Sequence, residues 1–138
     1  MKKASIIFLT LAISFLYGHA QNTDYKVVFD ITSSDPASQK QVVREVSLIK
    51  EGNPDAQVEV VLYGQSLALV SKDKSPYAED IQKLVNQKGV SFNVCQIAME
   101  HHHIDPSQLI AGVGIVPDGI YEIVKKQREG WGYIKVSP

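Results

Sequence analysis

The chain has 138 residues, with 14 Lys and Arg set against 15 Asp and Glu for a formal net charge of −1. That length gives one domain with a genuine apolar core, which needs neither disulfides nor metal for stability. The charge, with no basic cluster beyond Lys125, Lys126 and Arg128, argues against nucleic acid as a partner.

Residues 1–20 read as a secretory signal peptide. Lys2 and Lys3 precede an apolar block from Ala4 to Tyr17, and Gly18 and Ala20 supply the small residues a signal peptidase needs. The block is too short to span a bilayer core. Cleavage after Ala20 is expected, leaving residues 21–138 as one α/β domain without a membrane anchor. The segment removed holds two lysines and no acid, so the formal charge falls from −1 to −3. The expected location is outside the cytoplasm, periplasmic or secreted. Cys95 is the only cysteine, so no intrachain disulfide can form and no cysteine near the cleavage point can carry a lipid.

Five β-branched, apolar runs predict strands: Tyr25 to Ile31, Val58 to Tyr63, Val90 to Val94, Val113 to Val116 and Trp131 to Val136. Asp35-Pro36 opens a helix with Val42, Val43, Val46 and Ile49 on one face, closing near Gly52. Ser75-Pro76 opens another with Tyr77, Ile81, Leu84 and Val85, ended by Gly89. A short helix is expected over Gln96 to His103. Asp118 opens the last, with Ile120, Ile123 and Val124 as its apolar positions, basic residues in its final turn and Gly130 after it. Strands alternating with helices predict crossover units, hence a three-layer α/β/α fold around a mainly parallel five-stranded sheet covered on both faces.

Chemistry in such folds sits beyond the carboxyl ends of the strands. Three segments qualify: Thr32 to Pro36, Gly64-Gln65, and Cys95 onward. Cys95 follows the third strand and would stand at a helix N-terminus, where unpaired N–H groups and the helix dipole favour a thiolate. The competing reading is an inert small hydrophobe at the edge of the core. Gly64 and Gln65 could offer N–H groups to a small anion, and Gln96 beside the thiol is a further candidate ligand contact. Cys95, Met99, His102 and His103 would share one side of a continuous helix, a copper- or zinc-like ligand set. Surface histidines and a core methionine explain the same residues, so no metal and no cofactor is assigned.

The segment Gly89 to Met99, with Asn93-Val94-Cys95 at its centre and a Tyr63-Gly64 turn before it, resembles the DsrE/DsrF-like family. The likeness runs over most of residues 25–136. The stretches Val116 to Ile120 and Gln127 to Ile134 are similar to an exported, stand-alone branch of it. The resemblance implies a cysteine that accepts sulfane sulfur as a persulfide and passes it along a relay, and a homo-oligomer, trimer or hexamer, working with a sulfur donor or acceptor protein. It implies a carrier more than a turnover enzyme. Two other classes stay open: an oligomeric binding module in which Cys95 is merely packed, and a copper- or zinc-binding protein using Cys95 to His103.

Overall fold

A computed structural model of the chain describes residues 24–137. The expected signal peptide, residues 1–20, lies outside the described residues. The elements run β1 (Lys26–Ile31), α1 (Pro36–Gly52), β2 (Gln57–Leu62), a 3-10 turn (Ser66–Val70), α2 (Ala78–Val85), β3 (Val90–Cys95), α3 (Gln96–His101), a second 3-10 turn (Pro106–Gln108), β4 (Gly114–Val116), α4 (Gly119–Arg128) and β5 (Gly132–Val136). The strands form one wholly parallel sheet in the order β4-β3-β2-β1-β5.

That order decides where the helices go. From β1 to β4 the chain steps steadily one way, so right-handed crossovers put α1, α2 and α3 on one face. The link from β4 to β5 runs back across the sheet and puts α4 on the other. The packing agrees. Phe29, Val60, Phe92 and alternate strand residues meet Val42 and Val46 of α1, Ile81 and Leu84 of α2, and Met99 of α3. On the opposite face, among the described residues, Val28, Val61 and Ile123 form a small apolar cluster, edged by Tyr63 and Trp131.

The thinly covered face is polar instead. Glu59 is 2% exposed, and its two oxygens accept from Asn93 Nδ2 at 2.9 Å and Lys126 Nζ at 2.8 Å. The Lys126 ammonium also lies 4.4 Å from the centre of the Trp131 ring. Burial pulls the Lys126 pKa down, but the Glu59 hydrogen bond and the charges of Glu59, Glu122 and Glu129 outweigh it, so the net shift is upward. On the well-covered face Lys50 is buried at the end of α1 and donates to the carbonyls of Ala56 and Lys88, each at 2.8 Å, tying the helix to the strand entries.

The first helix follows the sequence at both ends, and the second starts late. Asp35 caps α1 by accepting from Ser38 N at 2.8 Å, and these bonds from Ser38 hold its carboxyl below the usual range. The helix closes within the expected Gly52-Asn53-Pro54 stretch, with Gly52 its last helical residue. Asn53 ends the helix in extended geometry, donating to Ile49 O. The second predicted helix starts later than Ser75-Pro76, because Ser75 Oγ takes the Tyr77 N–H in a local turn and the helix proper begins at Ala78. Gly89 does not cap it. With φ 80, Gly89 sits where a Cβ would stand 2.9 Å from Ala56 O, so it serves the close entry to β3.

The helix expected over Gln96 to His103 stops at His101. His103 takes φ 54, His103 N donates to Glu100 O, and Ile104 N donates to Met99 O, a Schellman closure with Ile104 folded back onto the core. Histidine carries no sequence signature for this left-handed position. Replacing the exposed His103 with glycine should stabilise the fold by about 0.5–1 kcal/mol, since the left-handed conformation then costs nothing sterically. Urea unfolding checks it, and a lower midpoint for His103→Gly would contradict the assignment.

Candidate functional site

In an open parallel sheet the crevice for ligands opens where neighbouring strands send their connections to opposite faces. Here that point lies between β3, which leads into α3 on the well-covered face, and β4, which leads into α4 on the other. Cys95 ends β3, and Val116-Pro117-Asp118-Gly119 ends β4 beside it. The topology therefore delivers the chain's one thiol to the crevice.

The immediate surroundings of Cys95 are made by two helix starts. Cys95 is itself the N-cap of α3, with extended φ −67 and ψ 121. From the other side α4 comes in at Gly119, where a Cβ would lie 3.1 Å from Cys95 Cβ and 3.2 Å from Val61 Cγ1. A methyl there would oblige the Cys95 and Val61 side chains to give by a few tenths of an ångström. Asp118 caps α4, its Oδ1 accepting from Ile120 N at 2.9 Å and Tyr121 N at 3.2 Å.

Cys95 is 6% exposed and forms part of the wall of an open depression of about 390 Å³. Ile97 of α3 and Ile120 of α4 stand at its rim, 58% and 60% exposed. Tyr63, His101 and His102 also line it. Of the apolar positions expected to face the core from α4, Ile123 does so, whereas Ile120 and Val124 are exposed. One helix on a polar face has too little apolar sheet beneath it to bury more.

Gly64 and Gln65 border this depression, as their position after β2 predicts. The N–H of Gln65 is not free for a small anion. Gln65 N donates to Thr32 O at 2.9 Å and Ser66 N to Tyr63 O at 3.3 Å, so these donors are already used, and Gly64 at φ 60 serves the close pass of Thr32. Gln96 does not join the thiol's depression. Its amide donates to Glu100 at 2.9 Å, and it lines a different hollow beside Pro106 and Ile115. The metal constellation is likewise dispersed. Met99 is in the core, His103 lies beyond the helix end, and among the described residues no group of three or more His, Cys, Asp or Glu is placed to hold a metal ion.

Tyr63 links the thiol to a charged layer on the same face. Asp30, buried, accepts from Tyr133 Oη at 2.7 Å and Lys135 Nζ at 3.0 Å, and Lys135 Nζ lies 5.7 Å from the Tyr63 ring centre. Burial first, then the charge and hydrogen bonding of Asp30, push the Tyr63 phenol up to about 12. Tyr133 is also raised to about 12, chiefly by its hydrogen bond to Asp30. A folded pKa above the unfolded value of 10.0 means stability fully present below pH 10 and lost as pH climbs toward 12. Absorbance titration of the phenolates should thus show two late tyrosines that merge with the others in urea. Tyr133→Phe should remove one of them, and a single transition near pH 10 in the folded protein would refute this.

Sequence reading missed Gly119, Ile97 and Ile120. A glycine in the first turn of a helix, where it costs roughly 1 kcal/mol relative to alanine, was the available sign of a close approach.

Residues 26–136 match the DsrE/DsrF-like family. Among solved structures, the chain is similar to the protein of unknown function MTH1491 from Methanobacterium thermoautotrophicum. The two share 32% identity at a TM-score of 0.76, over 81% of this chain and 99% of that one. The conserved protein of unknown function BT1422 from Bacteroides thetaiotaomicron shares the fold at 17% identity and TM-score 0.69, over 86% and 100% of the two chains. So does the ychN protein from E. coli, at 14% identity and TM-score 0.68, over 80% and 98%. No curated protein matches the sequence. With a five-stranded parallel α/β sheet and a family match across nearly the whole domain, the chain belongs to the DsrE/DsrF-like family, which is generally linked to sulfur relay.

Proposed function

We propose that this protein carries sulfane sulfur as a persulfide on Cys95, acting as an exported relay component more than as a turnover enzyme. The observation that supports this best is the placing of the one thiol at the β3/β4 switch point, against an open depression. Loading is a balanced exchange. The Cys95 thiolate attacks the outer sulfur of a donor R–S–SH, the new S–S bond forms, the donor's S–S bond breaks, and R–S⁻ leaves with the electron pair. The added sulfur stands about 2.05 Å further out than the thiol sulfur, so a thiol with little exposed surface gains an accessible outer atom once loaded.

The exposed Ile97 and Ile120 flank the route by which an acceptor would reach that atom, and with Tyr121 and Val124 they form apolar surface suited to a partner or a second copy. A homo-oligomer, trimer or hexamer, and a periplasmic or secreted location belong to the same reading. Intact mass after exposure to a persulfide donor tests the carrier role. The low exposure of Cys95 favours one rival, a binding module with a packed cysteine, and that rival predicts a thiol that reacts only after unfolding.

A further inference from the structure

A second hollow, of about 230 Å³, adjoins the Cys95 depression and shares Gly64, Gln65 and His102 with it. The two are unlike in character. The Cys95 end is walled mainly by apolar atoms, including Ile97, Ala98 and Ile120. The far end carries Lys74, Ser71 and Gln108. Among the described residues Lys74 has no ion-pair partner, and the side-chain oxygen of Gln108 is used on Asp105 N, which leaves its amide group as the end free to donate. Across both hollows the single acid is Asp118, at the Cys95 end, and its Oδ1 accepts two α4 N–H groups. An apolar depression holding a thiol, sharing a wall with a hollow where Lys74 and the Gln108 amide stand among Leu67, Ala68 and Ile104, is a bipartite site.

We infer that these two adjoining hollows together select a low-molecular-weight sulfane donor bearing an anionic group, with the sulfur at Cys95 and the anion held by Lys74, His102 and Gln108. The inference rests on the carrier reading for its chemistry and names the substrate class. In the exchange, Cys95 gains the outer sulfur and the donor departs as a thiolate, its anionic group being what Lys74 recognised. No oxidant enters. The size of the two hollows suits a small molecule and not a folded partner.

Two small thiol-specific reagents of opposite charge test the bipartite site on the whole protein: sulfonatoethyl and trimethylammonioethyl methanethiosulfonate, their rates at Cys95 followed by intact mass. Relative to a free small thiol, the anionic reagent should be favoured by about tenfold despite the protein's negative net charge. Lys74→Gln with His102→Gln should bring that preference close to one, and Lys74→Glu should invert it. These side chains are on the surface, so the variants should fold, and circular dichroism checks that they do. A preference unchanged by Lys74→Gln, a faster cationic reagent, or no reaction with either would overturn the bipartite site. Loading with carboxylate-bearing and uncharged persulfides then separates the two claims. Equal loading from both leaves the carrier and removes the anion site. Charge-selective labelling without sulfur gain does the reverse.

Discussion

Incubated at neutral pH with a low-mass persulfide, the protein gains about 32 Da, one sulfur atom, and loses it to reductant. Cys95→Ser and Cys95→Ala gain nothing. A serine hydroxyl is not ionised at neutral pH and is a far weaker nucleophile, so loss of loading should be complete. The two replacements divide the structural cost differently. Serine keeps the volume but sets a hydroxyl in a mostly apolar floor, at roughly 1–3 kcal/mol if it finds no partner. Alanine removes the polar atom and leaves a small void. Either cost is tolerable within a typical stability of about 5–15 kcal/mol, so both variants should fold and keep the assembly state seen by light scattering. Gly119→Ala supplies a graded control: its methyl would press on Cys95 at 3.1 Å, and loading should slow without vanishing. If the native thiol resists both sulfur and alkylating reagents until denaturant is added, Cys95 is a packing residue and the carrier reading falls.

Lys126→Met should destabilise the fold by about 3–5 kcal/mol, because it strands a buried carboxylate. Glu59 is buried, and Asn93 alone cannot neutralise it. The Lys126 side chain is 17% exposed, so solvent screening of its contact with Glu59 is weak. Lys125, next in the chain and half-exposed, contacts only Glu122 at 3.7 Å, and Lys125→Met should change stability by no more than about 0.5 kcal/mol. With a urea slope of about 1–3 kcal/mol per molar, the Lys126 variant should lose on the order of 2 M from its midpoint. Adding Glu59→Gln should recover part of it, since an amide leaves no bare charge. Indistinguishable midpoints for the two lysine variants would show that the buried pair contributes little. Because Lys126 ties α4 to the sheet, the same variant should also expose Cys95 to alkylation sooner.

The course of the chain was legible because its signals are local. Alternating apolar runs and helix caps are read within a few residues, and Asp35 and Asp118 cap where expected. The five strands fall within a residue of their predicted bounds. What was not legible depends on topology. Asp30, Glu59 and Asn93 interrupt otherwise apolar strands, and their meaning appears only once strand order sets Glu59 between Asn93 and Lys126 and Asp30 beside Tyr133 and Lys135. The approach of Gly119 to Cys95 joins residues 24 positions apart in a way no periodicity encodes. Gln96 was assigned by nearness in sequence to the thiol, but the first turn of α3 carries its side chain away.

The pairing of β1 with β5 has a bearing on how the chain reaches this state. Among the described strands β1 comes first in the chain and β5 last, and Val27 meets Gly132 across the sheet. Until the final residues are available, the backbone N–H and C=O groups along one side of Val27 to Ile31 have no strand beside them, although β2 and β3 can already be in place on the other. Closing so long a loop is slow, and a chain shortened before Gly132 presents β1 as an adhesive edge. Completion of the sheet thus waits on Gly132 to Val136.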